Sequence, residues 1–239
     1  MDLKKQNLYN LMSLWRLVGQ KAGRYDSMKS FEISEVNNSQ WPNKIWFNED
    51  ATWDIILNVA NQYDLKKLTL SVWGNLVETI DQVLLTDDIQ LSSTQYGMSM
   101  PLASFQKSEN LVELVQVADT LSAQLWSETF EKSFAYLIHK DTIMKTMNEV
   151  NYFLGYSEGI PVGTAVLFID EYRTAGIHSM GVIPEMRRKG FAEDILTQTL
   201  AIAHENEAKT ATLQASDKGK PLYLKMGFNE DFIIKNFKK

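Results

Sequence analysis

The sequence predicts a mixed α/β fold, and its patterning, its size and an internal repeat all favour that class. Segments rich in β-branched and aromatic residues alternate with segments whose apolar residues recur at helical spacing. Such alternation is typical of a sheet with helices packed on its faces. The chain has 239 residues, 44% of them hydrophobic, which suits one large domain or two small ones.

The internal repeat appears when residues 57–72 are placed over residues 200–215 without gaps. The identical pairs are Leu57/Leu200, Ala60/Ala203, Lys66/Lys209, Thr69/Thr212 and Leu70/Leu213. Both segments have the pattern of a helix followed by a strand, as a structural duplication requires. The same alignment places Lys44–Asp50 under Arg187–Glu193, so the first copy lacks the glycine and the basic residues of the second.

The N-terminal half is predicted as a helix followed by short strands and helices. Residues 1–20 carry an apolar pattern that lysine, asparagine and arginine residues interrupt. Residues Asp50–Tyr63 have apolar residues at helical spacing, with Asp50 as the N-cap. The strands are predicted at Lys29–Val36, Lys44–Asn48 and Leu65–Val72.

This half closes at Met98–Phe105, and the polar segment Gln106–Asn110 is predicted as a linker. The sequence therefore divides into a first domain at residues 1–108 and a second at residues 109–239.

The C-terminal half has a clearer alternation of strands and helices. Its strands are predicted at Leu111–Val117, Asn151–Ser157, Pro161–Asp170, Ala175–Ile183, Lys209–Ala215 and Gly227–Phe237. Its helices are predicted at Thr120–Phe134, Asp141–Asn148, Gly190–Ala208 and Gly219–Met226.

Composition excludes several classes of function. The chain has no cysteine, so disulfides, thiolate metal sites and cysteine nucleophiles are ruled out. Its net charge of −6 argues against a general nucleic-acid binder. No apolar run is long enough to span a membrane, and the N-terminal segment is a poor signal peptide. We therefore expect a cytoplasmic protein that binds neither nucleic acid nor membrane.

The stretch "VIPEMRRKGFAEDIL" has the features of an anion site. Backbone N–H groups at the start of a helix lack intrahelical partners and carry the positive end of the helix dipole. Gly190 allows an anion to approach the main chain, and Arg187, Arg188 and Lys189 add positive charge to an acidic protein. The alternative is a solvated basic turn before a surface helix. The chain has neither a P-loop nor a dinucleotide-binding glycine motif.

This stretch resembles the R/Q-x-x-G-x-G/A signature of the GNAT acetyltransferase superfamily, here "RRKGFA". The preceding "MGVIPEM" resembles the strand end that leads into the signature, and "LQASDKGKPLYLKMGF" resembles the family's strand, short helix and closing motif. The resemblance covers Leu111–Phe237. It implies a tandem GNAT-like fold, with a degenerate N-terminal copy and a catalytic C-terminal copy.

The resemblance also implies acetyl-coenzyme A (acetyl-CoA) as cofactor. The residues carried over to its binding site are Met180, Val182, Arg187, Arg188, Lys189, Gly190, Phe191, Ala192 and Ser216. Ser216 stands where many members have asparagine, so it either contacts the cofactor or caps the short helix.

In the family's reaction, a neutral amine attacks the thioester directly. Tyr223 matches the tyrosine whose hydroxyl serves the leaving thiolate, although it could instead be a packed aromatic residue. The family's glutamate would fall near Gly176, which cannot act as a base. His178 lies where some arylalkylamine acetyltransferases have histidine, so it is either the base or a hydrogen-bonded core residue.

Asp170, Glu171 and Glu158 are further candidate bases that would act through water. The three histidines show no metal-ligand spacing, so we expect no metal. The resemblance implies an N-acetyltransferase for a primary amine of a small molecule or peptide, and we expect a monomer or homodimer. The alternatives are a catalytically weak acyl-CoA-binding sensor of the same fold and an unrelated phosphate-binding module.

Overall fold

A computed structural model describes residues 1–48, 50–79, 89–102 and 111–239. The predicted linker at Gln106–Asn110 and the predicted boundary between residues 108 and 109 lie outside these ranges. Within them, no helix is both long and apolar enough to cross a membrane.

The described residues form helices and strands that alternate along the chain. The helices are α1 (Leu3–Ala22), α2 (Trp53–Gln62), α3 (Asn75–Thr79), α4 (Thr120–Phe134), α5 (Lys140–Thr146), α6 (Phe191–Glu205) and α7 (Lys220–Lys225). The strands are β1 (Gly23–Ser27), β2 (Phe31–Val36), β3 (Lys44–Phe47), β4 (Thr69–Trp73), β5 (Gln90–Pro101), β6 (Glu113–Gln116), β7 (Asn151–Ser157), β8 (Ile160–Ile169), β9 (Thr174–Val182), β10 (Thr210–Ala215) and β11 (Asn229–Lys238).

Most predicted elements are confirmed, and one local prediction is wrong. Asp50 does not cap α2: the N-cap is Thr52, whose side chain makes no capping bond. The N-terminal half, predicted to close at Met98–Phe105, includes a twelve-residue strand, β5, from Gln90 to Pro101, and residues 103–105 lie outside the described ranges. The polar residues at the start of β5 concealed it, because they lie on a largely exposed part of the strand.

All the described strands join one sheet, in the order β1-β2-β3-β4-β11-β5-β10-β9-β8-β7-β6. The last strand of the chain, β11, lies between β4 and β5 of the N-terminal half and is antiparallel to both. In turn, β5 is antiparallel to β10 of the C-terminal half. Each half therefore contributes its last strand to the sheet of the other, and the mixed α/β fold is confirmed.

Helices cover both faces of this sheet. Under α6 and α7, one core cluster joins Leu196 and Leu200 to Ile177 and Leu213 of the strands. On the opposite face, α1, α4 and α5 share a cluster centred on Trp126. Helix α1 extends across both halves, because its Leu8 and Leu11 pack on Trp46 and β11. The N-terminal helix is thus part of the covering of the C-terminal half.

The two halves share a strand–helix–strand unit in which the two strands are parallel. In the first unit, β3 pairs with β4 through Lys44↔Thr69; in the second, β9 pairs with β10 through Gly176↔Thr212. Since Thr69 and Thr212 are also matched in the sequence repeat, Lys44 is the counterpart of Gly176.

This register corrects the alignment upstream of the helices, because Lys44–Phe47 form a strand and do not correspond to the loop at Arg187. The connection from strand to helix spans residues 48–52 in the first unit and residues 183–190 in the second.

Candidate active site

The strands β9 and β10 separate within the sheet. Their parallel ladder ends at Ile177 and Leu213, although β9 continues to Val182 and β10 to Ala215. Beyond this point, which we call the fork, β9 pairs with β8 and with no other described strand. The main chain of β9 beyond Ile177 therefore presents hydrogen-bonding groups to an opening in the sheet.

A β-bulge at Ser179 redirects the side chains beyond the fork. Ser179 has φ 48°, and its carbonyl oxygen accepts a bond from the buried hydroxyl of Thr164 at 2.9 Å. The extra residue reverses the alternation of faces. Met180 and Val182 consequently lie on the same face as Ile177, in the core beneath α6. Both predicted cofactor residues of the strand are thus at the opening.

The loop before α6 places main-chain N–H groups at the same end of β9. Arg188 (φ 62°) and Gly190 (φ 87°) both have left-handed backbone conformations. Gly190 is the N-cap of α6 and provides no side chain to bond the first N–H groups. The first intrahelical bond runs from Asp194 N to Gly190 O, so the N–H groups of Phe191 and Ala192 precede the helical ladder. Arg188 and Lys189 are exposed beside them.

Arg187 is tied to the protein rather than free in solvent. Its Nε donates to the main-chain oxygen of Val182 at 3.0 Å, and its Nη2 donates to that of Ser133 at 2.9 Å. Ser133 lies in the last turn of α4, where carbonyl groups carry the negative end of the helix dipole. Arg187 thus anchors the loop to β9 and α4.

Ser216 follows β10 and shapes the turn into α7. Its Oγ accepts the N–H of Gly219 at 3.2 Å, and its main-chain oxygen accepts that of Lys220 at 2.9 Å. These bonds order the turn before α7, but the N-cap of α7 is Gly219, without a side-chain capping bond. A contact between Ser216 and the cofactor stays a prediction.

Tyr223 is buried in α7, with its ring centroid 5.9 Å from that of Phe228. Burial raises the pKa of its hydroxyl to about 12, so the group stays protonated. Among the described residues, none forms a hydrogen bond with this hydroxyl. Although the residue is buried, its hydroxyl oxygen keeps contact with solvent. Tyr223 Oη is therefore a donor that the described residues leave free to bond a ligand.

His178 faces α1, on the other side of the sheet from Tyr223. Its Nε2 lies 3.3 Å from Oδ1 of Asn10, and the residue is 7% exposed. Burial lowers the pKa of the imidazole to about 4, while the neighbouring Gln214 side chain partly opposes this. At neutral pH the imidazole is uncharged.

Asn10 also explains why residue 176 is glycine. A Cβ at Gly176 would lie 1.8 Å from Oδ1 of Asn10 and 2.4 Å from Nε2 of His178. The space that a side chain at position 176 would need is thus filled by the carboxamide of Asn10 from the N-terminal helix.

The sequence interpretation missed Asn7, Asn10 and Gln214, which surround the fork on the α1 face. Asn7 and Asn10 are fully buried, and Nε2 of Gln214 donates to Oδ1 of Asn7 at 2.6 Å. The signal was available, because both asparagines fall within the apolar stripe of α1. A polar residue in such a stripe indicates a buried hydrogen bond.

Two of the three candidate carboxylates have structural partners, whereas Glu158 is exposed in the turn between β7 and β8. Asp170 is buried and accepts from the N–H groups of Tyr172 and Thr174. Glu171 accepts from the hydroxyl of Tyr9 at 2.5 Å. Within the described ranges, no group of three or more histidine or acidic residues could hold a metal ion.

Comparison with known proteins agrees with this geometry. Residues 117–228 match the model of the Acetyltransferase (GNAT) family. This part of the chain is a GNAT domain. No curated protein matches the chain significantly.

Solved structures match nearly the whole chain, beyond the GNAT domain itself. It is similar to a GCN5-related N-acetyltransferase from Kribbella flavida, with TM-score 0.71 and 14% identity, covering 98% of this chain and 95% of that one. A GCN5-related N-acetyltransferase-like protein from Streptococcus suis gives TM-score 0.61 and 12% identity, covering 99% of both chains. A GCN5-related N-acetyltransferase from Sphaerobacter thermophilus gives TM-score 0.64 and 14% identity, covering 88% of this chain and 76% of that one. At such identities these matches establish the fold alone.

GNAT acetyltransferases use acetyl-CoA, so the predicted cofactor is confirmed at the level of the family. The residues of the fork fit such a molecule. The uncapped start of α6 beside Arg188 and Lys189 suits a pyrophosphate. The unpaired main chain of β9 suits the amide groups of a pantetheine arm. Family and fold together support acetyl transfer from an acyl-CoA donor.

Proposed function

We propose that this protein is an acetyl-CoA-dependent N-acetyltransferase that acts on a primary amine of a small molecule or peptide. The observation that carries the proposal is the hydroxyl of Tyr223, a protonated donor that forms no hydrogen bond with any described residue. An unused donor beside a fork in the sheet suits the stabilisation of a leaving group. Acetyl-CoA supplies a thioester carbonyl that an amine can attack and a thiolate that must be stabilised.

The chain's contribution to cofactor binding is divided among three elements. The N–H groups of Gly190, Phe191 and Ala192, with the charges of Arg188 and Lys189, bind the pyrophosphate. Met180 and Val182 place the main chain of β9 along the pantetheine arm. Arg187 holds the loop in position through its bonds to protein carbonyl groups.

Tyr223 acts mainly by hydrogen-bond donation. Its pKa of about 12 lies well above that of an ordinary thiol, about 8.5, so complete proton transfer from Oη to a thiolate is unfavourable. A preorganised donor nevertheless stabilises the charge that develops on sulfur. The amine nitrogen loses one proton to water as the C–N bond forms and the C–S bond breaks, and solvent returns one proton to the leaving thiolate.

The amine arrives neutral in this proposal. The lowered pKa of His178 makes its imidazole a poor base for an ammonium group, whose pKa is about 10. Asp170, in the turn between β8 and β9, is not a free base either, since its carboxylate accepts bonds from main-chain N–H groups. We therefore assign deprotonation of the substrate ammonium group to bulk water before binding, and not to His178.

The N-terminal half is proposed to be a related copy without the cofactor loop. Its shorter connection between β3 and α2 omits the turn that carries Arg188 and Gly190 in the second unit. When the repeats are aligned, α2 also starts later than α6, so α2 lacks the N-terminal turn that would bind a phosphate. We retain residues 1–108 and 109–239 as the two units.

The test is thermal unfolding with acetyl-CoA, coenzyme A, ATP or inorganic phosphate. A ligand at about 100 times its dissociation constant stabilises a protein by about 2.7 kcal/mol, which is a measurable shift. We expect shifts with acetyl-CoA and coenzyme A alone. Equal shifts with phosphate would instead favour a phosphate-binding module, and no shift with acetyl-CoA would contradict the proposal.

The control for the thermal shift is a variant of the cofactor-binding loop, and the activity assay uses the wild-type protein. Gly190→Glu should lose the shift, because a side chain at φ 87° is strained and adds negative charge to the loop. Thiol release from acetyl-CoA is then measured with ethanolamine, benzylamine, spermidine, lysine and a peptide with a free N-terminus. Cofactor binding without turnover on any amine would favour the acyl-CoA-binding sensor.

A further inference from the structure

The two buried asparagines of α1 make equivalent contacts with the strands of the fork. Nδ2 of Asn7 donates to the main-chain oxygens of Met98 (2.9 Å) and Leu213 (3.2 Å). Nδ2 of Asn10 donates to those of Phe168 (3.2 Å) and Thr174 (2.9 Å). Each side chain therefore spans two neighbouring strands and turns its Oδ1 toward the fork.

The two Oδ1 atoms hold the first side chains beyond the ladder. Gln214 directly follows Leu213, and its Nε2 donates to Oδ1 of Asn7 at 2.6 Å. His178 directly follows Ile177, and its Nε2 lies 3.3 Å from Oδ1 of Asn10. One helix face thus fixes one polar side chain on each arm of the fork.

These contacts determine the tautomer of His178. Nδ2 of Asn10 has three acceptors around it, the third being Oδ2 of Asp170 at 3.1 Å, so the amide orientation is unambiguous. Oδ1 of Asn10 must then accept, and the proton of the neutral imidazole must be on Nε2. Nδ1 of His178 is left with a lone pair.

The same reasoning applies to Gln214. Because its Nε2 donates to Asn7, its Oε1 is the remaining acceptor. Oε1 of Gln214 faces the imidazole of His178 closely enough to favour its protonated form. Apart from this mutual contact, no described residue donates a hydrogen bond to Oε1 of Gln214 or to Nδ1 of His178. The two arms of the fork therefore present two adjacent acceptors.

We infer that Oε1 of Gln214 and Nδ1 of His178 accept the two N–H groups of the amine substrate, with Asn7 and Asn10 as positioning residues. The inference rests on the proposed function and assigns the residues that hold and orient its primary amine. A neutral primary amine has two N–H groups and one lone pair. When both N–H groups are donated to fixed acceptors, the lone pair is oriented for attack on the thioester. A secondary amine has only one N–H group and loses one of these bonds.

The first test is the tautomer of His178, read by ¹⁵N NMR of labelled histidine. The chain has only three histidines, and His139 and His204 serve as internal references. We expect the Nε2–H tautomer in the wild-type protein, without titration near the ordinary histidine range. In Asn10→Ala we expect a mixture of tautomers. An Nδ1–H tautomer in the wild type, or an unchanged spectrum in Asn10→Ala, would overturn the positioning role.

The second test compares benzylamine with N-methylbenzylamine as acceptors. In the wild type, kcat/KM should favour the primary amine by about tenfold or more, the worth of one good hydrogen bond. His178→Gln keeps a donor for Asn10, so it should fold, but it alters the acceptor. We expect this variant, Asn7→Ala and Asn10→Ala to lose most of that preference while the acetyl-CoA dissociation constant changes less than about twofold.

Asn236→Ala is the matched control. Asn236 is another buried asparagine, bonded to Ser71, Ser93 and Gln95 in the N-terminal half, away from His178. It should lose stability without changing the tautomer or the amine preference. An equal loss of preference in this control, or full preference in His178→Gln, would overturn the amine contact. Absence of turnover in the wild type would overturn the proposed function and the amine contact together, while the NMR readout would still decide the positioning role.

Discussion

The guanidinium group of Arg187 is bonded to the main-chain oxygen of Ser133, at the C-terminal end of α4. A second bond, to Val182, fixes the start of the cofactor loop on β9. A signature residue that would be assigned to the phosphate by charge is therefore satisfied within the protein. All three cations of the loop are exposed, but the described residues give Arg188 and Lys189 no bond to a main-chain oxygen of the kind that holds Arg187.

Arg187→Ala and Lys189→Ala should therefore weaken acetyl-CoA binding in different ways. We expect about a tenfold loss for Arg187→Ala from loosening of the loop, with an unchanged dependence on salt. Lys189→Ala should lose less affinity, but its dependence on salt should be smaller, because an exposed charge is screened. Isothermal titration at several salt concentrations measures both. A reduced salt dependence in Arg187→Ala would place its charge on the phosphate.

Tyr223→Phe should lower kcat by about a hundredfold, since it removes only the hydroxyl donor. The dissociation constant of acetyl-CoA should stay unchanged, because the ring and its contact with Phe228 remain. The wild-type hydroxyl, with its pKa near 12, stays protonated throughout the usual assay range. The loss should thus be the same factor at every pH from about 6 to 9. A factor that changes across this range would assign another titrating group to the step.

Lys44→Met should stabilise the protein near neutral pH. Burial, and secondarily the charge of Lys238, lowers the pKa of Lys44 to about 7, against 10.5 in its ordinary state. Between these values the unfolded chain binds more protons, so the cost of Lys44 is greatest below pH 7 and disappears as the pH rises toward 10.5. Removal of the amine should raise stability at pH 7 by on the order of 2 kcal/mol.

The measurement is urea unfolding of wild type and Lys44→Met at several pH values. Asn236, which accepts from Lys44 at 2.9 Å, keeps the hydroxyl of Ser71 as a donor, so the substitution leaves no orphaned acceptor. The difference between the two proteins should shrink as the pH approaches 10. A difference that does not depend on pH would mean that Lys44 is fully charged in the folded state.

The sequence predicted local elements well and the pairing between halves poorly. Apolar periodicity located α4 at Thr120–Phe134 and β7 at Asn151–Ser157, because these patterns depend on nearby residues. The positions of β5 and β11 depend on contacts more than a hundred residues apart, which no local pattern encodes. Likewise, the loop at Gly190 was recognisable from its motif, whereas the contact between Asn10 and His178 joins residues 168 positions apart.

The exchange of strands leads to a final prediction, that residues 109–239 do not fold alone. Without residues 1–108, β10 loses its partner β5, β11 loses both of its neighbours, and α1 no longer covers the fork. The exposed edges and the uncovered apolar face would favour aggregation. Circular dichroism, a urea transition and the acetyl-CoA thermal shift measure the outcome, and we expect none of the three to be native-like.

The control is the full chain with a protease site inserted between residues 108 and 109. After cleavage the two parts should stay associated and keep the acetyl-CoA shift, since β5 and β11 together bridge the halves. Separately expressed parts should regain binding when they are refolded together. A cooperative transition and cofactor binding by residues 109–239 alone would show that the C-terminal GNAT domain is independent. The strand pairing between the halves would then add to the stability of this domain without being required for its folding.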